Sequence, residues 1–174
     1  MNRPQQGEYN PYYETYMNLV PAGDISAILQ DEQEKTINLL NTLSEKDANF
    51  RYGPLKWSIK EVIGHIADTE KIMSYRLLRI GRGDTTPLAG FNENDYVLIA
   101  NFDTFTIPEL LEYFRMTRSG TISLLKTMSP ESLTRVGIAN QSDTSARAIA
   151  YIIAGHEIHH RQIIEDRYLT TLRK

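Results

Sequence analysis

Three of the four histidines in this sequence lie within five residues of one another, at His156, His159 and His160. Residues four apart on an α-helix point within about 40° of each other, so His156 and His160 project in the same direction, one turn apart. Two imidazoles placed in this way can bind one cation, as they do in helical zinc motifs. His159 is rotated away from both of them, and we do not expect it to share the same ion.

The histidine pair is also compatible with a structural role. Isoleucines precede and follow it at helical spacing, which indicates that the pair lies on a buried face. These isoleucines are Ile149, Ile152, Ile153, Ile163 and Ile164. Without a metal, each buried ring nitrogen would need another hydrogen-bond partner. The spacing alone does not decide between metal ligands and hydrogen-bonded core histidines.

The composition excludes several classes of protein. The chain has 174 residues, enough for one domain with its own core, and its net charge of −3 gives no reason to expect a nucleic-acid partner. It contains no cysteine, which excludes disulfides and catalysis by a protein thiolate and fits a cytoplasmic location. We see no apolar run of the length that a membrane span needs and no signal peptide. We therefore expect a single cytoplasmic domain over residues 1–174 with no membrane partner.

Helical periodicity covers most of the chain, whereas strand signals are weak. Four long helices are predicted, and each begins after a good N-cap: Asp24, Ser58, Thr106 and Ser145. Glu61 and Glu109 complete capping boxes at the second and third helices. The second helix should end at Gly81-Arg82-Gly83, and the fourth should reach about Leu169. His65 lies at the edge of the apolar stripe of the second helix, where a ligand or an ordinary boundary histidine would both fit.

The segments between these helices carry further expectations. Residues 84–105 form a long connection, which in a four-helix bundle implies a crossover and allows the helices that it joins to run in the same direction. Residues 135–144 should be a loop. Residues 1–20 should be an irregular arm that packs by its tyrosines over the end of the bundle. Residues 30–35 should face solvent, and Trp57 should form a hydrophobic staple at the start of the second helix.

Two motifs resemble the signatures of one protein family. Residues 57–65 match the pattern Trp-Ser-x-x-Glu-x-x-x-His of the DinB-like (YfiT-like) superfamily, and residues 156–160 are similar to its C-terminal His-x-x-x-His motif. The resemblance covers residues 24–170. It implies an all-α four-helix bundle in an up-down-down-up arrangement, often dimeric. It also implies a divalent ion held by His65, His156 and His160, with no ligand role for His159.

The resemblance also suggests a chemistry. Three neutral ligands leave an ion its full charge and at least one open position, as in catalytic sites. A thiol in that position would be deprotonated, and a water would become a nucleophile. Characterised relatives transfer low-molecular-weight thiols such as bacillithiol, mycothiol or glutathione, or use a thiol cofactor for isomerisation. The resemblance therefore favours a thiol transferase. The alternatives are a metal-dependent hydrolase that uses metal-bound hydroxide, and a non-catalytic metal-stabilised binding or dimerisation module.

The remaining expectations concern ligands and partners. Imidazole ligands suit zinc and nickel, which are our first choices of metal, and a low-molecular-weight thiol would be a co-substrate. Glu70 is an additional catalytic candidate on the second helix. Arg76, Arg79 and Arg161 could hold a substrate carboxylate, although each is more often a charge at the surface or the edge of a bundle. The expected partners are a small-molecule substrate and, from the resemblance, a second copy of the chain in a homodimer.

Overall fold

The computed structural model describes residues 1–173, and α-helices form its framework. In chain order the helices are α1 (Glu14–Leu19), α2 (Ile25–Leu40), α3 (Glu45–Ala48), α4 (Ile59–Gly81), α5 (Glu93–Ala100), α6 (Ile107–Lys126), α7 (Pro130–Thr134), α8 (Ala146–Ile163) and α9 (Thr170–Leu172). Two 3₁₀ turns are at Pro11–Tyr13 and Phe102–Thr104, and α8 continues into a π-helical segment, Ile164–Leu169. No helix in this part of the chain is long and apolar enough to cross a membrane.

The four long helices, α2, α4, α6 and α8, begin at the capping residues that the sequence predicts. Their N-caps are Asp24, Ser58, Thr106 and Ser145, and each side chain accepts a hydrogen bond from a backbone N–H of the first turn. Complete capping boxes form at α4 and α6, because Glu61 and Glu109 accept hydrogen bonds from the backbone N–H of the cap residue. Each cap stabilises its helix by about 0.5–2 kcal/mol.

The crossover between α4 and α6 makes these two helices parallel. Residues early in one helix contact residues early in the other, and residues late in one contact residues late in the other. The contacts are Ser58 with Asp103, Glu70 with Arg118, and Arg82 with Thr127. The sequence prediction that the long connection reverses the usual alternation of directions is therefore confirmed.

The other helix pairs complete the bundle. At one end of α4, Trp57 is hydrogen-bonded to Tyr168, which follows α8; at the other end, Gly81 lies next to Ala146 at the start of α8. α4 and α8 are therefore antiparallel. α2 also packs between α6 and α8, and it runs antiparallel to α6, since the carbonyl of Leu29 accepts from Arg118 on the later part of that helix. The arrangement is up-down-down-up.

The apolar core divides into two clusters along α4. Ile59 and Ile63 belong to the cluster near the start of the helix, and Met73 and Leu77 belong to the cluster near its end. Glu70 lies between them and is buried. A buried charged side chain thus separates the two apolar clusters along α4.

Three segments without predicted helices or strands contain regular structure. The expectation of an irregular arm over residues 1–20 is wrong, because the arm includes the 3₁₀ turn Pro11–Tyr13 and α1. Residues 84–105 include α5, and residues 135–144 form most of a hairpin of β1 (Val136–Ala139) and β2 (Ser142–Ser145). The strands are antiparallel, with Val136 opposite Ser145 and Ala139 opposite Ser142. Asn140 and Gln141, at the turn, both have positive φ, as a two-residue primed turn requires. The expectation of a loop is therefore wrong.

The hairpin also fixes the crossover. The Leu88 N–H donates to the carbonyl of Ile138, and the Asn140 N–H donates to the carbonyl of Leu88, both at 2.9 Å. These bonds place the first part of the crossover beside β1. Because β1 also packs against the end of α4, where Gly137 lies next to Ile80, this part of the crossover is held near the end of that helix.

The polar stretch on α2 is not simply a solvent-facing surface. Glu32 is 3% exposed and Gln33 is 8% exposed. Glu32 is paired with Arg161 of α8 and with Lys35. Gln33 donates a hydrogen bond to the backbone of α6 at 3.3 Å. The expectation for residues 30–35 is wrong at these two positions, because their partners come from distant parts of the chain.

Candidate metal centre

Three histidines from two antiparallel helices converge at the wall of one cavity. His65 is on α4, and His156 and His160 are on α8. One ring nitrogen from each lies within 4.8 Å of the others, and the Nε2 atoms of His65 and His156 are 3.0 Å apart. The structure thus brings together the three residues that the family resemblance implies as ligands.

Burial keeps these imidazoles in the form that binds metal. His65 and His156 are each 7% exposed, whereas His160 is partly buried. Burial lowers the pKa of His65 to about 4. Burial, followed by the proximity of the other histidines, lowers the pKa of His156 and of His160 well below the ordinary value. The neutral imidazole is the form that coordinates a metal, so protonation does not compete with binding near neutral pH.

The spacing of the nitrogens fits a divalent ion. Imidazole nitrogens bind zinc at about 2.0–2.1 Å, which places two ligands of one ion about 3–3.4 Å apart. The His65–His156 pair has this spacing, and a ring nitrogen of His160 lies within 4.8 Å of both. Among residues 1–173, no Asp or Glu joins the cluster. Three neutral ligands would therefore leave the ion its full positive charge and an open position.

His159 points away from the cluster. Its ring lies against Tyr16 of α1, with the ring centroids 5.2 Å apart, and it is partly buried. Burial lowers its pKa. This position agrees with the rotation expected from helix geometry, which separates His159 from the two residues on the inward face.

Two aromatic residues enclose the histidines. The ring of Tyr16 meets His156 edge-on at 5.6 Å between centroids, and the ring of Trp57 lies 4.7 Å from His65. Trp57 therefore lines the site besides its predicted role at the start of α4. The N-terminal arm packs α1 against α8 over the cavity, and not over the end of the bundle as expected. Of the tyrosines in the arm, Tyr16 packs its ring against His156 and His159.

The cavity itself has a volume of about 420 Å³. This size is ordinary for a small-molecule site. Besides the histidines, its lining includes Asn10, Tyr13, Tyr16, Trp57, Arg76, Phe91, Glu93 and Asn140. Most of these residues come from the arm, the crossover and the hairpin. No local pattern in the sequence indicates that these three segments meet, because the contacts join residues far apart in the chain.

Glu70 lies in a different environment. It accepts two hydrogen bonds of 2.8 Å from Arg118, one from Nε and one from Nη2. Both side chains are almost fully buried, and Glu70 is not among the residues that line the cavity. The geometry favours a structural role for Glu70, and nothing in the site supports the predicted catalytic role.

Arg118 also holds a second carboxylate. Its Nη1 lies 2.7 Å from Oε2 of Glu157, on α8. The same nitrogen donates to the carbonyl of Leu29 at 2.6 Å, and its contact with Glu157 is a fully buried ion pair. Thr36 donates to the other oxygen of Glu157 at 2.7 Å. Arg118, for which no role was predicted, thus joins α2, α4, α6 and α8.

The three arginines considered as carboxylate binders differ. Arg79 is paired with Asp84, and Arg161 is paired with Glu32. Arg76 lines the cavity and is buried. Only Arg76 of these three is placed where it could contact a ligand in the cavity.

The family comparison decides the classification. The profile of the DinB superfamily matches residues 28–164. The chain belongs to the DinB superfamily. The solved structures give the same fold at low sequence identity, and no curated protein matches the sequence.

Three solved structures illustrate the likeness. YfiT from Bacillus subtilis, a probable metal-dependent hydrolase with an unusual four-helix bundle topology, superposes with a TM-score of 0.77 at 13% identity, covering 98% of this chain and 93% of that one. A mycothiol-dependent maleylpyruvate isomerase gives 0.68 at 12% identity, covering 90% and 68%. A DinB-like protein, YjoA, from Bacillus subtilis gives 0.63 at 16% identity, covering 87% and 94%. At these identities the likeness establishes the fold.

Proposed function

We propose that this protein is a divalent-metal-dependent enzyme that transfers a low-molecular-weight thiol to an electrophilic substrate. The observation that carries the proposal is the convergence of three imidazoles, two buried and one partly buried, at the wall of a cavity of about 420 Å³. Within the described residues no fourth side chain completes the cluster. Three protein ligands with an open position are typical of catalytic metal sites, whereas structural sites are closed by four.

Residues of the chain would bind the metal and shield it from bulk water. His65, His156 and His160 would hold a divalent transition metal, with zinc and nickel as the first choices for imidazole ligands. When bound, such an ion lowers the pKa of a coordinated thiol and so supplies the thiolate nucleophile. Tyr16 and Trp57 would shield the site from bulk water by their contacts with His156 and His65.

The thiol has to come from a small molecule, because the chain has no cysteine. In the transfer, the sulfur forms a bond to the electrophilic carbon as the leaving group departs with its bonding electron pair, and the thiol proton is released to solvent. The likeness to a mycothiol-dependent isomerase supports a thiol as the co-substrate.

A metal-dependent hydrolase is the second candidate. The likeness to YfiT, a probable metal-dependent hydrolase, favours it, and that superposition covers nearly all of both chains. The same three histidines would serve, with water in place of the thiol. The two candidates differ in one requirement, which is the added thiol.

A thiol screen separates the candidates. The protein loaded with zinc or nickel is incubated with bacillithiol, mycothiol, glutathione or cysteine and a fluorogenic electrophile such as monochlorobimane. We expect turnover that needs both metal and thiol and is lost in the double variant His156→Ala/His160→Ala. Ester or amide hydrolysis without thiol would favour the hydrolase. If neither activity is found and chelation only lowers the melting temperature, the protein is a metal-stabilised binding module.

We further propose a cytoplasmic homodimer with a small-molecule substrate. The homodimer follows from the family resemblance. Sedimentation equilibrium of the untagged protein tests it, since a dimer has twice the mass of the 19.9 kDa chain. A monomeric mass at micromolar concentration would remove this part of the proposal and leave the metal site unaffected.

A further inference from the structure

Arg76 is a buried cation that forms no ion pair with a carboxylate of residues 1–173. It is 3% exposed and lines the same cavity as the histidines. Its Nη2 donates to the carbonyl of Ala89 at 2.7 Å, and its Nη1 lies 3.2 Å from the sulfur of Met73. These contacts use two of the five N–H groups that a guanidinium offers. The other three N–H groups donate to no side chain or carbonyl among residues 1–173.

Arg118, another buried arginine, differs from Arg76 in having two carboxylate partners. Burial opposes the charge of both arginines, but Glu157 and Glu70 raise the pKa of Arg118 above its ordinary value. Burial lowers the pKa of Arg76, and no carboxylate among residues 1–173 lies within ion-pair distance of it. A guanidinium nevertheless stays protonated in proteins. Burying an uncompensated charge is costly, so such a residue is expected where a ligand supplies the missing anion.

The position of Arg76 relates it to the metal centre. His65, Thr69, Met73 and Arg76 follow one another at helical spacing on α4, and all four line the cavity. His65 and Arg76 are separated by about 16 Å along the helix axis, and the same cavity of about 420 Å³ reaches both side chains. A small molecule of ordinary length can therefore contact the guanidinium at one end and the three-histidine cluster at the other.

The surroundings favour a single negative charge on an organic molecule. The ring of Phe91 lies 5.8 Å from the guanidinium carbon and offers an apolar surface. Glu93 is the only carboxylate among the lining residues, and it would repel a second negative charge. A planar carboxylate also matches the planar fork of N–H donors on arginine.

We propose that Arg76 binds the carboxylate of an organic monoanion in this cavity, and that this anion is a substrate of the metal centre. The second half of the statement rests on the proposed function, whereas the anion site is a property of the cavity itself. The carboxylate belongs either to the electrophile or to the thiol, since both sources present the same group to Arg76.

Calorimetry with a matched pair of probes tests the anion site. Hexanoate and hexanamide are titrated into the full-length protein as purified, and again after chelation. We expect hexanoate to bind about tenfold more tightly than hexanamide, or better, in both preparations, because hydrogen bonds to a charged group are the stronger ones. Arg76→Gln should lose this preference, and Arg76→Lys should keep part of it.

The control is Arg82→Gln, which removes a cation from an exposed position at the end of the same helix and should bind hexanoate as the wild type does. A preference for hexanoate that survives in Arg76→Gln, or that disappears on chelation, would overturn the anion site. Circular dichroism establishes that each variant is folded. If Arg76→Gln fails to fold, the ratio of hexanoate to hexanamide affinity in the wild type and in Arg76→Lys still tests the proposal. It is contradicted if the wild type shows no preference for hexanoate, or if Arg76→Lys keeps the full preference.

The source of the carboxylate is settled by turnover. N-acetylcysteine and N-acetylcysteamine are thiols with and without a carboxylate, and 4-(bromomethyl)benzoate and 4-(bromomethyl)benzamide are electrophiles with and without one. In Arg76→Gln we expect KM to increase about tenfold for one of the two carboxylated reactants. If the increase is confined to the carboxylated thiol, the thiol is the source of the carboxylate. If it is confined to the carboxylated electrophile, the electrophile is the source. Unchanged KM values for all four would refute the role of Arg76 in substrate binding. Absence of turnover in the wild type would instead contradict the proposed function and leave the calorimetry to stand alone.

Discussion

Gly155 of α8 faces the backbone carbonyl of Tyr16 so closely that a Cβ at position 155 would overlap it. The approach brings α1 onto the helix face beside His156. Because the obstacle is backbone, it cannot be removed by rotating a side chain. We predict that Gly155→Ala displaces the N-terminal arm and lowers the free energy of unfolding by about 1–3 kcal/mol, as overpacking does. Urea unfolding measures the loss, and limited proteolysis of the arm detects the displacement.

The matched control for this substitution is Gly120→Ala on α6. Gly120 is exposed, and a Cβ there would meet nothing within 4 Å. Alanine has the higher helix propensity, so this variant should gain up to about 1 kcal/mol. Equal effects of the two substitutions would show that the contact with Tyr16 has no energetic importance.

The buried pair of Glu70 and Arg118 predicts a structural phenotype for Glu70→Gln. Removing the carboxylate leaves Arg118 with less compensation in the core, and we expect a loss of about 3 kcal/mol in the free energy of unfolding. Metal content should stay unchanged, because Glu70 does not contact the histidines. Glu112→Gln, which removes one partner of an exposed pair on α6, should cost less than about 1 kcal/mol. A stable Glu70→Gln variant with a reduced kcat would restore the catalytic role predicted from the sequence.

The attachment of the N-terminal arm should depend on pH through Glu8. Its carboxylate accepts hydrogen bonds of 2.7 Å from Arg147 and from Ser145, and chiefly the bond from Arg147 lowers the pKa of Glu8 from 4.5 to about 2. A lowered pKa in the folded state stabilises the protein above pH 4.5, and the contribution is lost as the pH falls toward 2.

Melting curves of the wild type and Glu8→Gln between pH 2 and pH 7 measure this contribution. The wild type should be more stable by about 1 kcal/mol above pH 4.5, and the difference should shrink toward zero near pH 2. Glu14→Gln, at an exposed position of α1, should show no such trend. A difference between wild type and Glu8→Gln that is constant over the whole range would contradict the assigned ion pair.

Trp57 provides an optical signal for metal binding. It is the only tryptophan in the chain, and its ring centroid lies 4.7 Å from that of His65. Binding of Co²⁺ or Cu²⁺, which quench indole emission at short range, should reduce the fluorescence, and chelation should restore it. The double variant His156→Ala/His160→Ala should not respond. Quenching that is the same in the variant would mean that the ion binds elsewhere.

Local signals in the sequence were sufficient to predict the four long helices of this bundle. Asp24, Ser58, Thr106 and Ser145 cap helices through bonds within three residues of themselves, so their effect can be deduced without the tertiary structure. The shared direction of His156 and His160 follows from helix geometry alone. The link to His65 depended on the family motif, because the contact between α4 and α8 is not encoded locally.

Long-range contacts account for what the sequence did not reveal. From the sequence, Arg118 is an ordinary charged residue of α6, and only the structure shows that it pairs with Glu70 and Glu157. Glu32 reads as solvent-exposed until Arg161 of α8 meets it. The hairpin was missed because its turn, Asn140-Gln141, has no glycine, whereas most turns of this type carry one. The cavity walls were missed because three separate segments supply them.

Metal content is the measurement that tests the central claim most directly. Elemental analysis is made of the untagged wild type, of His156→Ala/His160→Ala and of His159→Ala, each after incubation with zinc or nickel and removal of the excess. We predict about one ion per chain in the wild type and in His159→Ala, and none in the double variant. No bound metal in the wild type, or equal metal in all three proteins, would contradict the assignment of His65, His156 and His160 as a metal centre.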